Sequence, residues 1–369
     1  MLKFHTYFYY WACFISGFAI LAQEMIALRL LAPHFGTSIV VTGLTINCIL
    51  LILAIGYFLG GKLADRSKDL GVVYQIMLMA SVWFLLDAAV YRYVLQATVT
   101  QGSVGGVILT VVLLYGLPLC LLSMVGPYLI KFLSDTKAVG EVSGMIFALS
   151  TVGSLFGGLC TTFYFIPVLG SKLSIFVVGM ILLATAIVGL RTLSKKSVWN
   201  ILWILIPIVI NSPYAESYVY ETDSAYNHIM VKRIESDLYL FRNNEDGYAS
   251  KSIDPQTKLS DSYYDTMLFP FLIRDVADVL ILGNGAGTAM TQISYFFDAR
   301  VDAVEIDSAI TLVGKKYFGL KLNDKTNLYH QDARTFVRDS KKKYDAIIID
   351  IYAQGGAIPF HVSTKEFFG

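Results

Sequence analysis

Charged residues are scarce in this chain, and no charge of one sign predominates. Asp, Glu, Lys and Arg make up 15% of the 369 residues, 55% are hydrophobic, and the mean hydropathy is +0.59. Soluble domains usually carry about 25% charged residues, so this composition predicts membrane-spanning segments. The formal net charge of +1 gives no excess of cations for a nucleic-acid backbone. We therefore expect membrane lipid as a partner and no nucleic acid.

Cysteines are also few. The four of them lie far apart within apolar stretches and without a neighbouring histidine, at Cys13, Cys48, Cys120 and Cys160. Zinc sites and disulfide frameworks need cysteines or histidines at short, regular spacings. We therefore expect these cysteines to be small core residues, and we predict no metal site.

Long apolar runs fill the chain up to about residue 213, and the charges collect after it. A membrane-spanning helix needs about 20 apolar residues. Six stretches are long enough: residues 7–32, 38–60, 72–95, 104–130, 142–168 and 172–193. A seventh at residues 198–210 is shorter and is compatible with a tilted span, a re-entrant piece or an interfacial helix. We predict an integral membrane helical domain of six or seven spans over residues 1–213.

Two acidic residues fall within the predicted spans. Glu24 lies beside Gln23 and near Arg29, and Asp87 lies about one helical turn before Arg92. A charge at membrane depth costs several kcal/mol unless it is paired or solvated. These acids are therefore candidates either for function in transport or catalysis or for pairs that hold helices together.

The second half of the chain has the pattern of an α/β protein. Residues 218–234 and 238–241 alternate and are rich in aromatic and β-branched side chains, which predicts a β-hairpin or small sheet within a region at 214–275. From residue 276 onward, predicted strands alternate with predicted helices. The strands lie near 278–283, 300–305, 326–330 and 344–350, and the helices near 287–297, 308–317 and 332–341. This order predicts a parallel sheet with crossover helices, a Rossmann-like domain over residues 276–369.

A glycine-rich loop follows the first of these strands. Gly283, Gly285 and Gly287 would let backbone N–H groups approach a ligand at the start of the next helix. The second strand ends on Glu305 and Asp307, about 20 residues further on, where an acid can accept hydrogen bonds from ribose hydroxyls. An ordinary glycine-rich turn would look similar. The combination of strand, glycines and acid favours a site for an adenosine-containing cofactor.

Two further strand ends carry acids. Asp332, followed by Ala333, comes after the third strand, and Asp350 comes at the end of the fourth. The carboxyl ends of parallel strands meet at one edge of a sheet, where such folds bind their ligands. We therefore expect these acids, Glu305 and the glycine loop to line one crevice. A strand-tip carboxylate that only binds backbone N–H groups is the alternative for Asp350.

Several motifs, taken in order, resemble the spermidine synthase (polyamine aminopropyltransferase) family, in the type fused to an N-terminal multi-span domain. They are GNGAGT, VEID, the Asp332-Ala333 pair and YDAIIID…TKEFF, together with SGFAILAQEMIALRLLAPHFG and GGKLADR in the first half. The resemblance covers almost the whole chain. It implies an S-adenosylmethionine-dependent methyltransferase-type fold. It also implies S-adenosylmethionine or its decarboxylated form as the co-substrate.

The resemblance also implies roles for individual residues. Asp350 matches the acid that accepts the amine proton, and Tyr264 matches the tyrosine of the family's Tyr-His-Glu stretch. Glu305 matches the ribose-binding acid, and Asn227 stands where a glutamine is usual. The implied nucleotide-binding set is Asn227, Gly283, Gly285, Gly287, Glu305, Asp307, Asp332 and Ala333.

The amine side of the implied site departs from the family pattern. Ala286 replaces the loop's aspartate, Asp265 replaces the histidine after the tyrosine, and Ala353 replaces the second acid after Asp350. A dicationic polyamine is held by spaced carboxylates, and an unpaired ammonium in a desolvated pocket costs several kcal/mol. The sequence thus favours an adenosyl nucleotide more strongly than it favours putrescine. The family's sheet carries further strands, so the α/β domain is expected to be C-terminally truncated at Gly369.

The leading hypothesis is a membrane-integral transferase. It would move an aminopropyl group, as in polyamine biosynthesis, or a methyl group to an amine-type small-molecule acceptor, with a polyamine as one candidate. The alternative is a transporter-like bundle whose soluble domain senses an adenosyl nucleotide. Glu24 lies in a span, and GKLADR (residues 61–66) resembles the loop between the second and third helices of major-facilitator transporters. An NAD site is a third option, but Thr288 occupies the third glycine position of G-x-G-x-x-G. A homo-oligomer is left open.

Basic residues collect at the N-terminus and after the second, fourth and sixth apolar segments. By the positive-inside rule the N-terminus is then cytoplasmic. If residues 198–210 cross the bilayer, the C-terminal half lies outside, and if they do not, it lies in the cytoplasm. Residues 195–215 also resemble a signal-peptide pattern. Because adenosyl cofactors are abundant in the cytoplasm, we expect a multi-pass protein of the cell (inner) membrane with a cytoplasmic soluble half.

Overall fold

The structure is a computed structural model that describes residues 2–36, 38–67, 69–135, 138–193, 218–352 and 358–368. The chain divides into two compact units, Met1–Tyr214 and Ala215–Gly369. The predicted seventh apolar segment at 198–210, the signal-like segment at 195–215 and Ala353 lie outside the described residues.

The described residues of the first unit form helices joined by short turns. Its α-helices are α1 (Leu2–Phe35), α2 (Ile39–Arg66), α3 (Gly71–Val99), α4 (Gly102–Thr110), α5 (Leu117–Leu133), α6 (Val139–Cys160) and α7 (Gly170–Thr192). Two π-helical stretches, Val111–Gly116 and Thr161–Leu169, continue α4 and α6. Each of the six predicted apolar segments therefore lies in helix.

Five continuous helical stretches are long and apolar enough to cross a membrane. They are Tyr7–Phe35, Ile39–Arg66, Gly71–Val99, Gly102–Leu133 and Val139–Thr192. The last has 54 residues, about 80 Å at 1.5 Å per residue, which exceeds the ~30 Å hydrocarbon core of a bilayer. It is interrupted at Gly170, whose φ of 75° departs from helical geometry. This stretch contains two of the predicted segments, 142–168 and 172–193.

Glycines bring helix backbones into direct contact in this unit. A Cβ at Gly153 or Gly157 of α6 would lie 2.1 Å from the carbonyl oxygen of Phe14 or Phe18 of α1. A Cβ at Gly17 of α1 would lie 2.2 Å from the Ser150 carbonyl oxygen. Close backbone approach of this kind drives helix packing in lipid, where the hydrophobic effect between helices is absent.

The second unit begins with a small antiparallel sheet. Its strands are β1 (Tyr218–Asp223), β2 (His228–Ile234), β3 (Asp237–Arg242) and β4 (Asn244–Lys251), paired in that order. Alternation buries one face, on which Ile229, Val231 and Leu240 are fully buried. Two short helices follow, α8 (Tyr263–Thr266) and α9 (Phe269–Ile273). The predicted hairpin or small sheet is confirmed as a four-stranded sheet.

A parallel sheet then forms the centre of the second unit. It contains β5 (Asp278–Leu282), β6 (Arg300–Val304), β7 (Thr326–Tyr329) and β8 (Ala346–Ile349) in the order β7-β6-β5-β8. The helices between them are α10 (Thr288–Phe296), α11 (Ser308–Tyr317) and α12 (Ala333–Asp339). A 3-10 turn at Phe360–Val362 and α13 (Lys365–Phe368) complete the described elements. The Rossmann-like prediction is confirmed.

Burial explains why β5 lies in the interior of this sheet. Val279 and Ile281 pack with Met290 and Ile293 of α10, while Leu280 packs on the opposite face. An apolar run buried on both faces is typical of a parallel sheet covered by helices. β6 and β8 flank β5 on opposite sides. The chain direction across the sheet therefore reverses here, and ligands of open α/β sheets bind at such a reversal.

Candidate nucleotide-binding site

The carboxyl ends of the parallel strands surround one cavity of about 880 Å³. This volume lies within the range of pockets for small molecules and cofactors. Seven of the ten predicted site residues line it, namely Asn227, Gly283, Gly285, Glu305, Asp332, Ala333 and Asp350. The other three, Gly287, Asp307 and Tyr264, are buried next to it.

The glycine loop requires glycine for two separate reasons. Gly283 has a φ of 88°, and a Cβ there would lie 2.3 Å from the carbonyl oxygen of Asp350. Gly285 has a φ of 55°, and its Cβ would lie 2.6 Å from Ser250 Oγ. That hydroxyl accepts the Ala286 N–H at 2.8 Å, which ties the loop to β4. The loop therefore presents backbone, without side chains, to the cavity.

Glu305 is fixed by backbone donors. Its Oε2 accepts the Gly285 N–H at 2.8 Å and its Oε1 accepts the Asp307 N–H at 3.0 Å. Only 6% of the residue is exposed. Burial raises the pKa of this carboxyl, although the two backbone hydrogen bonds oppose the rise. Each oxygen keeps a lone pair that can accept a further hydrogen bond from a ligand in the cavity.

Asp307 lies behind the cavity wall and holds neighbouring groups in position. It is the N-cap of α11, where its Oδ1 accepts the Ala309 N–H at 3.1 Å. Its Oδ2 accepts from Ser224 Oγ at 2.6 Å and from Asn227 Nδ2 at 2.8 Å. Asp307 thus positions Asn227, and Asn227 is the member of the pair that lines the cavity.

Asp332 is the N-cap of α12 and also faces the cavity. Its Oδ1 accepts the Thr335 N–H at 2.9 Å, which leaves Oδ2 facing His361 Nε2 at 3.7 Å. Ala333 is the first residue of the helix and is buried. A short side chain at this position keeps space open beside the helix N-terminus.

Asp350 follows β8 and pairs with a tyrosine from α8. Tyr263 Oη donates to Asp350 Oδ2 at 3.2 Å. Burial raises the pKa of Asp350, while the Tyr263 hydrogen bond and the Arg242 charge lower it. Tyr264, the predicted tyrosine, is buried and its hydroxyl donates to the Ala249 carbonyl at 2.6 Å. Tyr263 is thus a cavity residue that sequence reasoning missed, although it is the neighbour of the predicted residue.

Arg242, the second missed residue, ends β3 and lines the cavity. Its charge lowers the pKa of both Glu305 and Asp350, so the guanidinium lies within electrostatic reach of two predicted site acids. An arginine at the end of a half-buried strand usually faces solvent, and nothing in its local sequence marked it. Only the fold brings it to the cavity.

Asp265 and Ala286, two of the three residues that depart from the family pattern on the amine side, have their contacts outside the cavity. Asp265 Oδ1 accepts the Ser260 N–H at 2.9 Å and Gln292 Nε2 at 2.6 Å, which ties α8 to α10. Ala286 is fully buried against the small sheet. Neither contributes a carboxylate to the cavity.

The residues that line the site are suited to an adenosyl nucleotide. Glycine backbone forms one wall, a buried carboxylate with free lone pairs lies at the tip of β6, and a helix N-terminus with an alanine lies at the tip of β7. Such groups can bind the ribose hydroxyls and the adenine ring of a nucleoside. The fold is therefore Rossmann-like, with a helical, apolar N-terminal unit, and the cavity has the groups that an adenosyl nucleotide would require.

Comparison with known proteins shows which proteins this chain is similar to. Residues 267–368 match the spermine/spermidine synthase domain. A probable polyamine aminopropyl transferase of Bifidobacterium longum is 30% identical over 237 residues, which cover 64% of this chain and 48% of that protein. The chain thus spans about half the length of this relative.

Two further relatives match nearly the whole chain. Polyamine aminopropyltransferase 1 of Streptomyces coelicolor is 24% identical over 394 residues, covering 97% of this chain and 71% of the relative. Polyamine aminopropyltransferase 2 of Aquifex aeolicus is 21% identical over 383 residues, which cover 96% of this chain and 74% of the relative. A crystal structure of a probable spermidine synthase from Corynebacterium glutamicum is 20% identical, with a TM-score of 0.35 over 42% of this chain and 58% of that chain.

Proposed function

We propose that this protein is a membrane-anchored transferase of the polyamine aminopropyltransferase class. The observation that carries the proposal is the convergence of Glu305, Asp332 and Asp350 on one cavity beside the glycine loop. Relatives named as polyamine aminopropyltransferases support it. The group moved is an aminopropyl group or, as the second option, a methyl group, and the acceptor is an amine.

S-adenosylmethionine or its decarboxylated form is the proposed co-substrate. Glu305 would bind the ribose hydroxyls, the region of Asp332 and Ala333 would bind the adenine, and Asn227 would complete the wall. The glycines and Asp307 would act by shaping the loop and by holding Asn227. When bound, the sulfonium of this nucleotide supplies a good leaving group.

Asp350 is the proposed base. An amine that attacks a carbon next to the sulfonium must lose a proton, and a nearby carboxylate accepts it. Tyr263, which donates to Asp350 Oδ2 at 3.2 Å, would orient that carboxylate. Tyr264 would act indirectly, by fixing the short helix that carries Tyr263. Because the leaving group is already activated, positioning of the acceptor is the other main contribution of the protein.

The proposed domain layout is a membrane domain at 1–213, a β-rich region at 214–275 and a nucleotide-binding domain at 276–369. Five long apolar helices support insertion into the cell (inner) membrane. Lipid would then surround the first domain, and the supply of adenosyl nucleotide favours a cytoplasmic second domain. A reporter fused after Gly369 tests the side, since a cytoplasmic location predicts activity of a cytoplasmic reporter only.

The transferase proposal is tested by product detection. The full chain in detergent, incubated with putrescine and decarboxylated S-adenosylmethionine or S-adenosylmethionine, is expected to release the aminopropylated or methylated amine, which mass spectrometry distinguishes. Asp350→Asn should lower kcat by about 10²–10⁴-fold, the usual contribution of a general base. Asp324→Asn, at an exposed loop position, is the control. Nucleotide binding without any product would contradict the transferase.

A transporter-like protein with a nucleotide-sensing domain is the second candidate. It is favoured by a buried polar pair in the helical unit, where Gln23 Nε2 of α1 donates to Asp87 Oδ2 of α3 at 2.8 Å. Asp87 is only 1% exposed. Uptake of labelled polyamine into vesicles that is abolished by Glu24→Gln and unchanged by Asp350→Asn would favour this candidate over the transferase.

A further inference from the structure

The cavity wall contains a cation with unused hydrogen-bond donors. Arg242 Nε is buried and has no hydrogen-bond partner within the described part of the chain. Its Nη2 makes one long contact, 3.3 Å to the Tyr352 carbonyl oxygen. A guanidinium has five N–H donors in a fixed planar fork, so most of this fork is not engaged by the described residues.

The strand that carries Arg242 holds it firmly. Arg242 pairs with Ile229 of β2, and the next residue, Asn243, accepts the His228 N–H through Oδ1 at 2.8 Å. Asn243 Nδ2 also contacts Asn227 Oδ1 at 3.3 Å. The arginine therefore projects from a strand end whose backbone is held by pairing and whose next residue is held by hydrogen bonds.

The acids around the cavity are already partly committed to other partners. Glu305 accepts two backbone N–H groups, Asp332 caps α12, and Asp350 accepts from Tyr263. The Arg242 charge acts on Glu305 and Asp350 electrostatically, yet no ion pair joins it to either acid in the described ranges. The guanidinium is partly buried and lines the cavity, so it is the cationic group there with hydrogen-bond donors left for an anion.

We infer that the ligand of this cavity carries a carboxylate and that Arg242 binds it. A planar guanidinium matches a carboxylate with two parallel hydrogen bonds, and it repels an ammonium at the same place. The carboxylate has two sources, the amino-acid end of the nucleotide, which S-adenosylmethionine keeps and its decarboxylated form lacks, or an amino-acid-like acceptor. This inference rests on the proposed function and selects among its options. A carboxylate from the nucleotide selects S-adenosylmethionine over its decarboxylated form, and one from the acceptor selects an amino-acid-like amine over putrescine.

Matched ligands separate the two sources in the full chain. Isothermal titration compares S-adenosylmethionine, decarboxylated S-adenosylmethionine and 5′-methylthioadenosine, which has neither charge on its tail. A second series, in the presence of 5′-methylthioadenosine, compares 4-aminobutanoate with putrescine. Each ligand is measured on wild type, Arg242→Gln and Arg242→Lys. The control is Arg233→Gln, an exposed arginine on the same small sheet.

Loss of a charge-assisted bidentate contact is expected to weaken binding by roughly 10- to 100-fold. If the nucleotide supplies the carboxylate, Arg242→Gln weakens the binding of S-adenosylmethionine by that factor. The affinity for 5′-methylthioadenosine then stays within about twofold of the wild-type value. If the acceptor supplies the carboxylate, Arg242→Gln weakens only the binding of 4-aminobutanoate. Arg242→Lys should lie between wild type and Arg242→Gln, because it keeps the charge without the fork.

Several results would overturn the inference. Equal binding of carboxylate-bearing and carboxylate-free ligands to wild type and Arg242→Gln would do so. Equal weakening of all ligands by Arg242→Gln would also do so, since it indicates a structural role. The Lys variant provides the comparison if Arg242→Gln does not fold. Failure of 5′-methylthioadenosine to bind wild type is a distinct outcome that removes the proposed function and this inference with it.

Discussion

Single residues at the strand ends divide into those that face the cavity and those that hold them. Glu305 and Asp350 face it, whereas Asp307 binds Ser224 and Asn227 from behind. The distinction matters for mutagenesis. Loss of a cavity residue changes ligand affinity or rate directly, whereas loss of a holding residue acts through the position of another side chain.

The pH dependence of turnover tests the role of Asp350. The carboxyl must be ionised to accept a proton, and burial raises its pKa, so kcat/KM should fall as pH falls through that raised value. The Tyr263 hydrogen bond lowers this pKa. Tyr263→Phe should therefore shift the acidic limb of the pH–rate profile to higher pH. Tyr295→Phe, at an exposed site, is the control, and identical limbs in wild type and Tyr263→Phe would contradict the assignment.

His228 offers a second pH test, on stability. Burial lowers the pKa of His228, but hydrogen bonds to Asp223 and Glu221 outweigh it and raise the pKa from 6.5 to about 9. A raised folded-state pKa contributes stability that is complete below the unfolded value and is lost as pH rises through the folded value. The contribution should thus be full below pH 6.5 and disappear above about pH 9.

The measurement is the melting temperature of wild type and His228→Gln across that range. The difference between the two proteins should be largest near pH 6 and should shrink as pH rises beyond about 9. A difference of about 1–3 kcal/mol in unfolding free energy is the expected scale for such a partly buried pair. A constant difference from pH 6 to 10 would show that the ion pairs do not contribute.

At the scale of elements, the helical unit depends on backbone contacts at glycine. α1 and α6 approach so closely that a Cβ at Gly153 would meet the Phe14 carbonyl oxygen at 2.1 Å. Gly144, on the same helix, has no heavy atom within 4 Å of its Cβ position. The two positions carry the same residue in the same helix and differ only in the atoms that surround them.

Gly153→Val is expected to separate α1 from α6 and to lower the melting temperature of the detergent-solubilised protein by several degrees. Gly144→Val is the matched control and should leave it nearly unchanged, since both substitutions place the same β-branched residue in one helix. The cost at Gly153 follows from overpacking, typically 1–3 kcal/mol. Equal effects of the two substitutions would show that α1 and α6 do not pack through Gly153.

The elements themselves were largely predictable from the sequence. Apolar runs of sufficient length gave six helical segments, and strand–helix alternation gave the four parallel strands. The side-chain directions were not predictable to the same degree. Tyr263 and Tyr264 are adjacent at the start of α8, and neighbouring helical residues point about 100° apart, so only the packing decides which one reaches Asp350.

Arg242 was missed for a different reason. Its strand belongs to the small antiparallel sheet, and the acids that it approaches lie on the parallel sheet, more than 60 residues later in the sequence. Contacts of this kind depend on how two sheets pack and leave no local periodic signal. The glycine loop, by contrast, was predictable because positive φ and close approach leave glycine alone acceptable there.

On the scale of the whole molecule, the chain combines an apolar helical unit with a charged α/β unit. Within the second unit, residues 267–368 match the spermine/spermidine synthase domain. The central claim is that the cavity at its strand ends binds an adenosyl nucleotide. Every proposed role, from the base to the carboxylate-binding arginine, depends on that binding.

Titration of the full chain with 5′-methylthioadenosine tests this claim most directly. The wild type should bind it, and Glu305→Gln should weaken binding by roughly 10- to 100-fold, because the amide replaces an acceptor oxygen that faces backbone N–H groups and that would accept from the ribose. Glu235→Gln, at an exposed turn, should bind like the wild type. Absence of binding to the wild type, or equal binding to wild type and Glu305→Gln, would contradict the account.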